Sequence, residues 1–224
     1  MTFSIAGRCA RTGMVGTAVT TSSIAVGSRC HYVMAGIGAA LTQHRTDPRL
    51  GPLMLSLLKS GFTAQQAVDA AVAATPGNEW RQLALIDCDG RTAFYCGASV
   101  KPERAEVGGR DCVALGNIVR STQVPQAMVL AFEGDADAPL ATRLIAALAA
   151  GEAAGGEFKP VISAALLVAD RESFPYVDLR VDSDPNPIRT LARLWKEYEP
   201  VANFYSSRAT EPETPRTVQQ SSPP

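Results

Sequence analysis

Apolar and polar positions alternate weakly over Phe3–Arg8, and after the polar turn Arg11-Thr12-Gly13 a β-branched stretch fills Met14–Thr20. That pattern predicts a hairpin. Tyr32–Ala35 and Gly38–Gln43, divided by Gly36 and Gly38, predict a second strand pair. Apolar residues then change to helical spacing over Gly51–Ser60 and Thr63–Thr75, with Thr63 placed as an N-cap and Gln66 at the capping-box position. Gln82–Asp87 reads as a buried strand, Asp89-Gly90 as its turn and Thr92–Cys96 as the return. Val113–Val119, carrying Gly116-Asn117, is a further strand. Two Ala- and Leu-rich helices are expected over Thr122–Glu133 and Pro139–Glu152, and a last strand pair over Val161–Ala169 and Tyr176–Val181. Pro187–Phe204 closes with an amphipathic helix that gathers Leu191, Leu194, Trp195 and Tyr198 on one side. From Ser206 to Pro224 the composition turns to Ser, Thr, Pro, Glu and Gln, as expected of a disordered tail behind a single domain of residues 1–205.

Helices arrive in pairs rather than one after each strand, which disfavours a doubly wound parallel sheet. Two antiparallel sheets faced by helix pairs fit better: an α+β fold, a four-layer αββα sandwich. Such a sandwich puts the first strand in the middle and its N-terminus at the mouth of a cleft.

Composition removes several classes of function. With 224 residues and a formal net charge of −1, the chain carries no basic field for nucleic acid, and its aromatic content of 6% offers no base-stacking surface. No apolar run is long enough to span a membrane, and no secretory signal opens the chain, so a cytoplasmic protein is expected. Five cysteines (Cys9, Cys30, Cys88, Cys96, Cys112) are widely spaced, with only His31 and His44 to join them. Plain thiols are the simpler reading over zinc or disulfides, and no metal or organic cofactor is implied. Gly155-Gly156 follows a helix as a stop, not as a phosphate loop.

Thr2 is the first candidate for chemistry, because removal of Met1 before so small a residue would place a hydroxyl and a free α-amine on one residue. An α-amine has a reference pKa near 7.7–8.0, so roughly a fifth of it is unprotonated at about pH 7.3. It is then a general base beside its own nucleophile.

A set of stretches runs in order along the chain: the start Met1–Arg8, Ala25-Val26-Gly27, Ala35-Gly36-Ile37-Gly38, Leu41-Thr42-Gln43, Asp47-Pro48 with Gly51-Pro52, and Trp80-Arg81-Gln82 with Ile86-Asp87. Gly116-Asn117-Ile118, Gly151–Gly156 and Pro175–Asp182 continue it, covering nearly everything before Tyr205. Together these stretches resemble a bacterial family of unknown function, DUF1028. The resemblance implies an N-terminal-nucleophile (Ntn) hydrolase-like fold, with Thr2 carried over as nucleophile. Folds of this kind often pair across a helix layer, so a homodimer is expected. Four places depart from the family pattern: Thr21-Ser22, Glu103–Glu106, Lys159–Ser163 (with Ile162) and Ser183-Asp184. Each replaces a polar group that would line the cleft.

On that fold the remaining candidates take roles with structural alternatives beside them. Asn117 next to Gly116 is a candidate oxyanion donor or a strand-end residue. Thr42 and Gln43, at the end of a strand, are candidates for binding substrate amides, or caps before the Thr46-Asp47-Pro48 turn. Arg81 is a candidate carboxylate clamp, or a partner of Glu79 or Asp87. Asp178 and Arg180 share a strand face and suggest a structural ion pair. The leading expectation is an N-terminal-threonine amidohydrolase acting on a small linear C–N bond substrate. The amide preference is inherited from the fold superfamily. The rival is a catalytically silent binding or scaffold protein that kept the sandwich and lost its polar cleft.

Overall fold

The computed structural model describes residues 1–213. The chain runs β1 (Thr2–Arg8), β2 (Val15–Thr21), β3 (His31–Met34), β4 (Gly38–His44), α1 (Leu50–Lys59), α2 (Ala64–Ala74), β5 (Arg81–Asp87), β6 (Thr92–Cys96), β7 (Arg104–Gly109), β8 (Cys112–Asn117), α3 (Val124–Glu133), α4 (Leu140–Ala153), β9 (Ser163–Ala169), β10 (Val177–Val181) and α5 (Pro187–Thr210). Short 310 turns lie at Val26–Ser28 and Asn78–Trp80.

The strands form two antiparallel sheets, ordered β10-β9-β2-β1-β8-β7 and β3-β4-β5-β6. Helices α3, α4 and α5 cover the six-stranded sheet through a core that includes Phe3, Ile5, Met128, Phe132, Leu144, Leu191 and Trp195. Helices α1 and α2 cover the four-stranded sheet through Leu50, Met54, Val68, Leu83 and Leu85. Between the sheets lie Ala6, Val15, Ala39, Leu41, Ala84, Ile86, Val113 and Leu115. This is the α+β, four-layer αββα sandwich expected, with β1 in the interior of its sheet.

Strand parity explains the layers. In β1, Phe3 and Ile5 face the helices while Ala6 faces the opposite sheet, because successive side chains leave opposite faces of a strand. The small inward residues Ala6, Ala39 and Ala84 let the two sheets approach closely.

Local signals behave as the pattern predicts in several places. Thr63 caps α2 with its side chain accepting from the Gln66 N–H, and the reciprocal Gln66 contact completes the capping box. Gly90 turns the β5–β6 hairpin at φ 88°, and Asp87 Oδ1 accepts the N–H groups of Asp89 and Arg91 at 3.0 and 2.9 Å.

Three boundaries differ from expectation. β7 was not anticipated, because Arg104–Gly109 ends in two glycines and pairs on one side only, as the edge of the six-stranded sheet. β8 stops at Asn117 rather than Val119, since Ile118 turns into the left-handed region at φ 53°. The last helix continues past residue 205 to Thr210, so 206–210 are helical and not part of a tail. Stacking of Tyr198 on Tyr205 (centroids 6.0 Å apart) and the Ser207 hydroxyl on the Asn203 carbonyl (2.9 Å) carry the helix on. Of the rest of the expected tail, 211–213 follow the helix and 214–224 lie outside the described residues. Among the described residues no helix is long and apolar enough to cross a membrane.

Candidate active site

The layer between the sheets is apolar at one end and polar at the other. Moving along the strands, Ala6 gives way to Ser4 and Thr2 on β1, Leu41 to Gln43 on β4, Ala84 to Gln82 on β5, and Leu115 to Asn117 on β8. These polar residues keep the inward parity of their strands, and all are buried. Burying so many amides and hydroxyls is tolerable only if they satisfy one another, since an unpaired polar group inside costs about 1–3 kcal/mol.

They do so as a ladder. Ser4 Oγ donates to Gln43 Oε1 at 2.7 Å, and Gln43 Nε2 donates to Gln82 Oε1 at 2.6 Å. Gln82 Nε2 donates to the Gly116 carbonyl at 3.1 Å and to Glu106 Oε1 at 2.5 Å. Asn117 Nδ2 donates to Gln82 Oε1 at 3.0 Å. Because a backbone carbonyl can only accept, Gly116 sets the orientation of the Gln82 amide. Gln82 Oε1 must then accept from both Gln43 and Asn117. Asn117 is thereby turned with its NH2 toward Gln82, and its Oδ1 has no partner.

At the head of β1, Thr2 stands directly opposite Asn117 of β8, and Phe3 opposite Thr20 of β2. Thr2 Oγ1 lies 3.5 Å from Thr21 Oγ1. Both hydroxyls donate to the Met1 carbonyl oxygen, Thr21 at 2.6 Å. The Met1 carbonyl oxygen thus accepts from both the Thr2 and the Thr21 hydroxyl. Ser22 follows, its N–H donating to Glu157 Oε2 at 3.0 Å, while Glu157 Oε1 is buried without a partner. Burial raises the Glu157 carboxyl above its ordinary range, with the Ser22 contact and the charge of the chain-end amine working against the rise. Burial likewise lowers the pKa of that amine, against the pull of Glu157 and Cys30; Lys101 adds to the lowering.

The sequence candidates separate accordingly. Thr2, Gln43 and Asn117 are brought together. Thr42 has the opposite parity: its hydroxyl donates to the Asp47 carbonyl at 3.3 Å on the helix-facing side, away from the ladder. Arg81 is also outside it, donating to the Arg45 carbonyl and lying 4.0 Å from Asp47 rather than pairing with Glu79 or Asp87. Arg180 pairs with Asp182 at 3.0 Å, not with Asp178. Asn117 lies in the polar layer between the sheets, with its amide hydrogens donated to Gln82.

Ser4, Thr21, Gln82, Glu106 and Glu157 complete the cluster and were not singled out as site residues. For Ser4 and Gln82 a signal existed, a polar residue at the inward parity of an otherwise apolar strand. Glu157 lies outside the named strands, in an isolated bridge with Val119, and has no such signal. Of the four departures from the family pattern, two border the cluster, through Ser22 and Glu106. The other two serve the scaffold. Ser163 donates to the Ser23 carbonyl at 2.6 Å, and Asp184 accepts from the Asn186 N–H and the Thr190 hydroxyl at the start of α5.

Two surface cavities lie elsewhere. One of 310 Å³ is bordered by Cys9, Met14, Leu140, Tyr176 and Trp195, and one of 570 Å³ by Tyr32, Met34, Lys59 and Phe174. Both are remote from Thr2. Among the described residues no group of three His, Cys, Asp or Glu side chains is placed to hold a metal.

Comparison with known proteins agrees with this architecture. The model of a family described as a family of unknown function, DUF1028, matches residues 2–191. A crystal structure of a DUF1028 protein from Silicibacter pomeroyi superposes with a TM-score of 0.81, at 32% identity over 88% of each chain. Anbu, an ancestral β-subunit, from Yersinia bercovieri is more remote: 12% identity, 95% of this chain and 99% of that one, TM-score 0.40. A Gly-1 mutant of Anbu from Hyphomicrobium sp. strain MC1 gives 13%, 97% and 100%, and 0.41. Likeness that weak has no bearing on activity. No curated protein matches the chain. Matched over residues 2–191 and sharing the fold of the Silicibacter pomeroyi protein, the chain belongs to the DUF1028 family.

Proposed function

We propose that the protein is an N-terminal-threonine amidohydrolase, acting by acyl transfer on a small linear substrate with a C–N bond. The observation that carries this reading is the pair of hydroxyls, Thr2 and Thr21, on one carbonyl oxygen at the head of a buried strand. Hydrolysis of the Met1–Thr2 bond by an aminopeptidase releases methionine and leaves Thr2 with a free amine. It also vacates the place of that carbonyl for the substrate.

The Thr2 amine then takes the hydroxyl proton as Oγ1 attacks the substrate carbonyl carbon. The Thr21 hydroxyl donates to the developing oxyanion. The C–N bond breaks, the leaving amine departs with the proton, and water hydrolyses the Thr2 ester to release the acid and restore the hydroxyl.

A second reading, a silent binding protein, is favoured by one observation: the ladder is closed, with Ser4, Gln43, Gln82 and Asn117 each at 0% exposure. One experiment separates the two. Untagged protein from its native host is weighed intact, then given a panel of small linear amides beside Thr2→Ala. The enzyme reading expects loss of Met1 and hydrolysis by the native protein but not by Thr2→Ala. Retained Met1, or equal hydrolysis by both, overturns it.

A further inference from the structure

Among the described residues, three buried side-chain polar atoms lack a hydrogen-bond partner: Arg8 Nε, Asn117 Oδ1 and Glu157 Oε1. The latter two are acceptors, and both stand at the head of β1. Asn117 faces Thr2 across the β1–β8 pairing, where opposed side chains lie about 5 Å apart. Glu157 is tied to the same point from the other side. Its Oε2 holds the Ser22 N–H, and the neighbouring Thr21 hydroxyl holds the Met1 carbonyl. Glu157 is 4% exposed and Asn117 0%, so water does not readily serve either atom.

Two buried acceptor oxygens without a hydrogen-bond partner stand on either side of the chain end, whose amine already feels the Glu157 charge, and suit a cationic donor with several hydrogens. The chain supplies one when Met1 is gone. We propose that Glu157 and Asn117 are a positioning pair that seats the α-ammonium of Thr2 and holds its nitrogen beside the Thr2 hydroxyl. This rests on Thr2 becoming the first residue, as the proposed function requires.

The pair also gives the ladder a purpose. Gly116, Gln82 and Asn117 form a relay of orientation: the backbone carbonyl orients the glutamine, the glutamine orients the asparagine, and the asparagine oxygen is left for the ammonium. Asn117 thus acts as an acceptor toward the amine and not as an oxyanion donor. Glu157 serves as counter-charge. The other titratable groups that act on the chain end are Cys30 beside β3, Lys101 between β6 and β7, and His44 at the end of β4. Lys101 repels an ammonium, Cys30 is neutral while protonated, Glu106 is engaged by the Gln82 amide, and Arg104, opposite Asn117, donates to the Gly97 and Val100 carbonyls, so the carboxylate that acts on the chain end is Glu157.

The test reads the amine itself and needs no turnover. Met1-free protein is labelled with 13C-threonine, and the Thr2 Cα signal, identified by its loss in Thr2→Ser, is followed against pH. Glu157→Gln keeps the shape and removes the charge. Loss of a counter-charge at contact distance is expected to weaken proton binding by the Thr2 amine at least about tenfold. Superimposable titrations of the native protein and Glu157→Gln overturn the pair while leaving Thr2 as nucleophile untouched. If Glu157→Gln does not fold, Glu157→Asp carries the test: drawing the carboxylate back by one methylene weakens proton binding by the Thr2 amine, and an unchanged affinity overturns the proposal. Retention of Met1 in protein from the native host sinks the nucleophile reading first, and the pair with it.

Discussion

Asn117 stands directly opposite Thr2 on the neighbouring strand, yet its amide NH2 points across the sandwich to Gln82, 3.0 Å away. The residue paired with the candidate nucleophile therefore keeps its amide oxygen without a partner, while its amide hydrogens help hold the two sheets together. Gln82 is the hub of that arrangement, and its contacts lead to the first prediction.

Gln82→Leu leaves Gln43 Nε2, Asn117 Nδ2 and the Gly116 carbonyl without their partner in a buried layer. At about 1–3 kcal/mol per stranded group, partly relieved by rearrangement, a loss of about 3–5 kcal/mol in urea unfolding is expected. Ser4→Ala removes one donor at the end of the ladder and costs about 1 kcal/mol. Equal effects for the two would show that the ladder does not act through Gln82.

Thr2→Val keeps the shape of the first strand residue and removes the proposed nucleophile, so on the amidohydrolase reading kcat on an amide substrate falls about a thousandfold or more. Thr2→Ser retains a hydroxyl and measurable turnover. Thr21→Val removes the hydroxyl 2.6 Å from the Met1 carbonyl oxygen and is expected to lower kcat about a hundredfold, with little change in KM. A change confined to KM would assign Thr21 to ground-state binding instead.

His31 is buried in the sandwich with its Nδ1 3.0 Å from the Thr17 hydroxyl. Burial, helped by the nearby Arg180 charge, lowers its pKa from 6.5 to about 4. The unfolded chain therefore binds this proton more readily than the folded one, and stability declines as pH falls from about 6.5 toward 4. The loss amounts to about 3 kcal/mol over that window. Below it a second decline is expected from Asp47, whose carboxyl is held down to about 2, first by its hydrogen bond from the Arg49 side chain and then by the charges of Arg49 and Arg81. His31→Gln should flatten the first decline and leave the second; denaturant midpoints measured from about pH 7 to about pH 2 check both.

Gly36 and Gly38 sit two residues apart and are needed for different reasons. Gly36 takes φ 69° in the β3–β4 turn with open space around it, so Gly36→Ala meets only backbone strain, about 1–2 kcal/mol. Gly38 opens β4, where an added Cβ would collide with the Ile86 carbonyl oxygen of the paired strand. Backbone cannot move aside as a side chain can, so Gly38→Ala is expected to cost about 3 kcal/mol or more. Thermal unfolding of the two variants should rank them in that order.

How much of this was legible before folding depends on the range of the interaction concerned. The capping box at Thr63 and Gln66 and the Asp89-Gly90 turn were readable because their partners lie within four residues in sequence. The paired order of helices and strands was enough for the two-sheet sandwich, since an apolar helix stripe and an apolar sheet face must be buried against each other. Thr2 and Gln43 stood out from residue type and strand position. β7 was hidden because an edge strand ending in glycines has neither the period nor the composition of a core strand, and Ile118 ended β8 by a backbone rotation that no side-chain pattern announces.

What folding alone decided is which faces meet. Thr42 and Gln43 are adjacent in sequence, and parity sends one to the helices and the other to the cleft. Arg81, next to Gln82, is turned away in the same manner. Glu157 reaches the chain end from 135 residues beyond Ser22. Sequence records the alternation of each strand, whereas the register between strands and the stacking of the two sheets choose the end at which the polar positions converge. Those choices come from long-range packing, because a shift of one residue in any of these strands would turn its polar side chains out of the ladder and into the apolar layer under the helices.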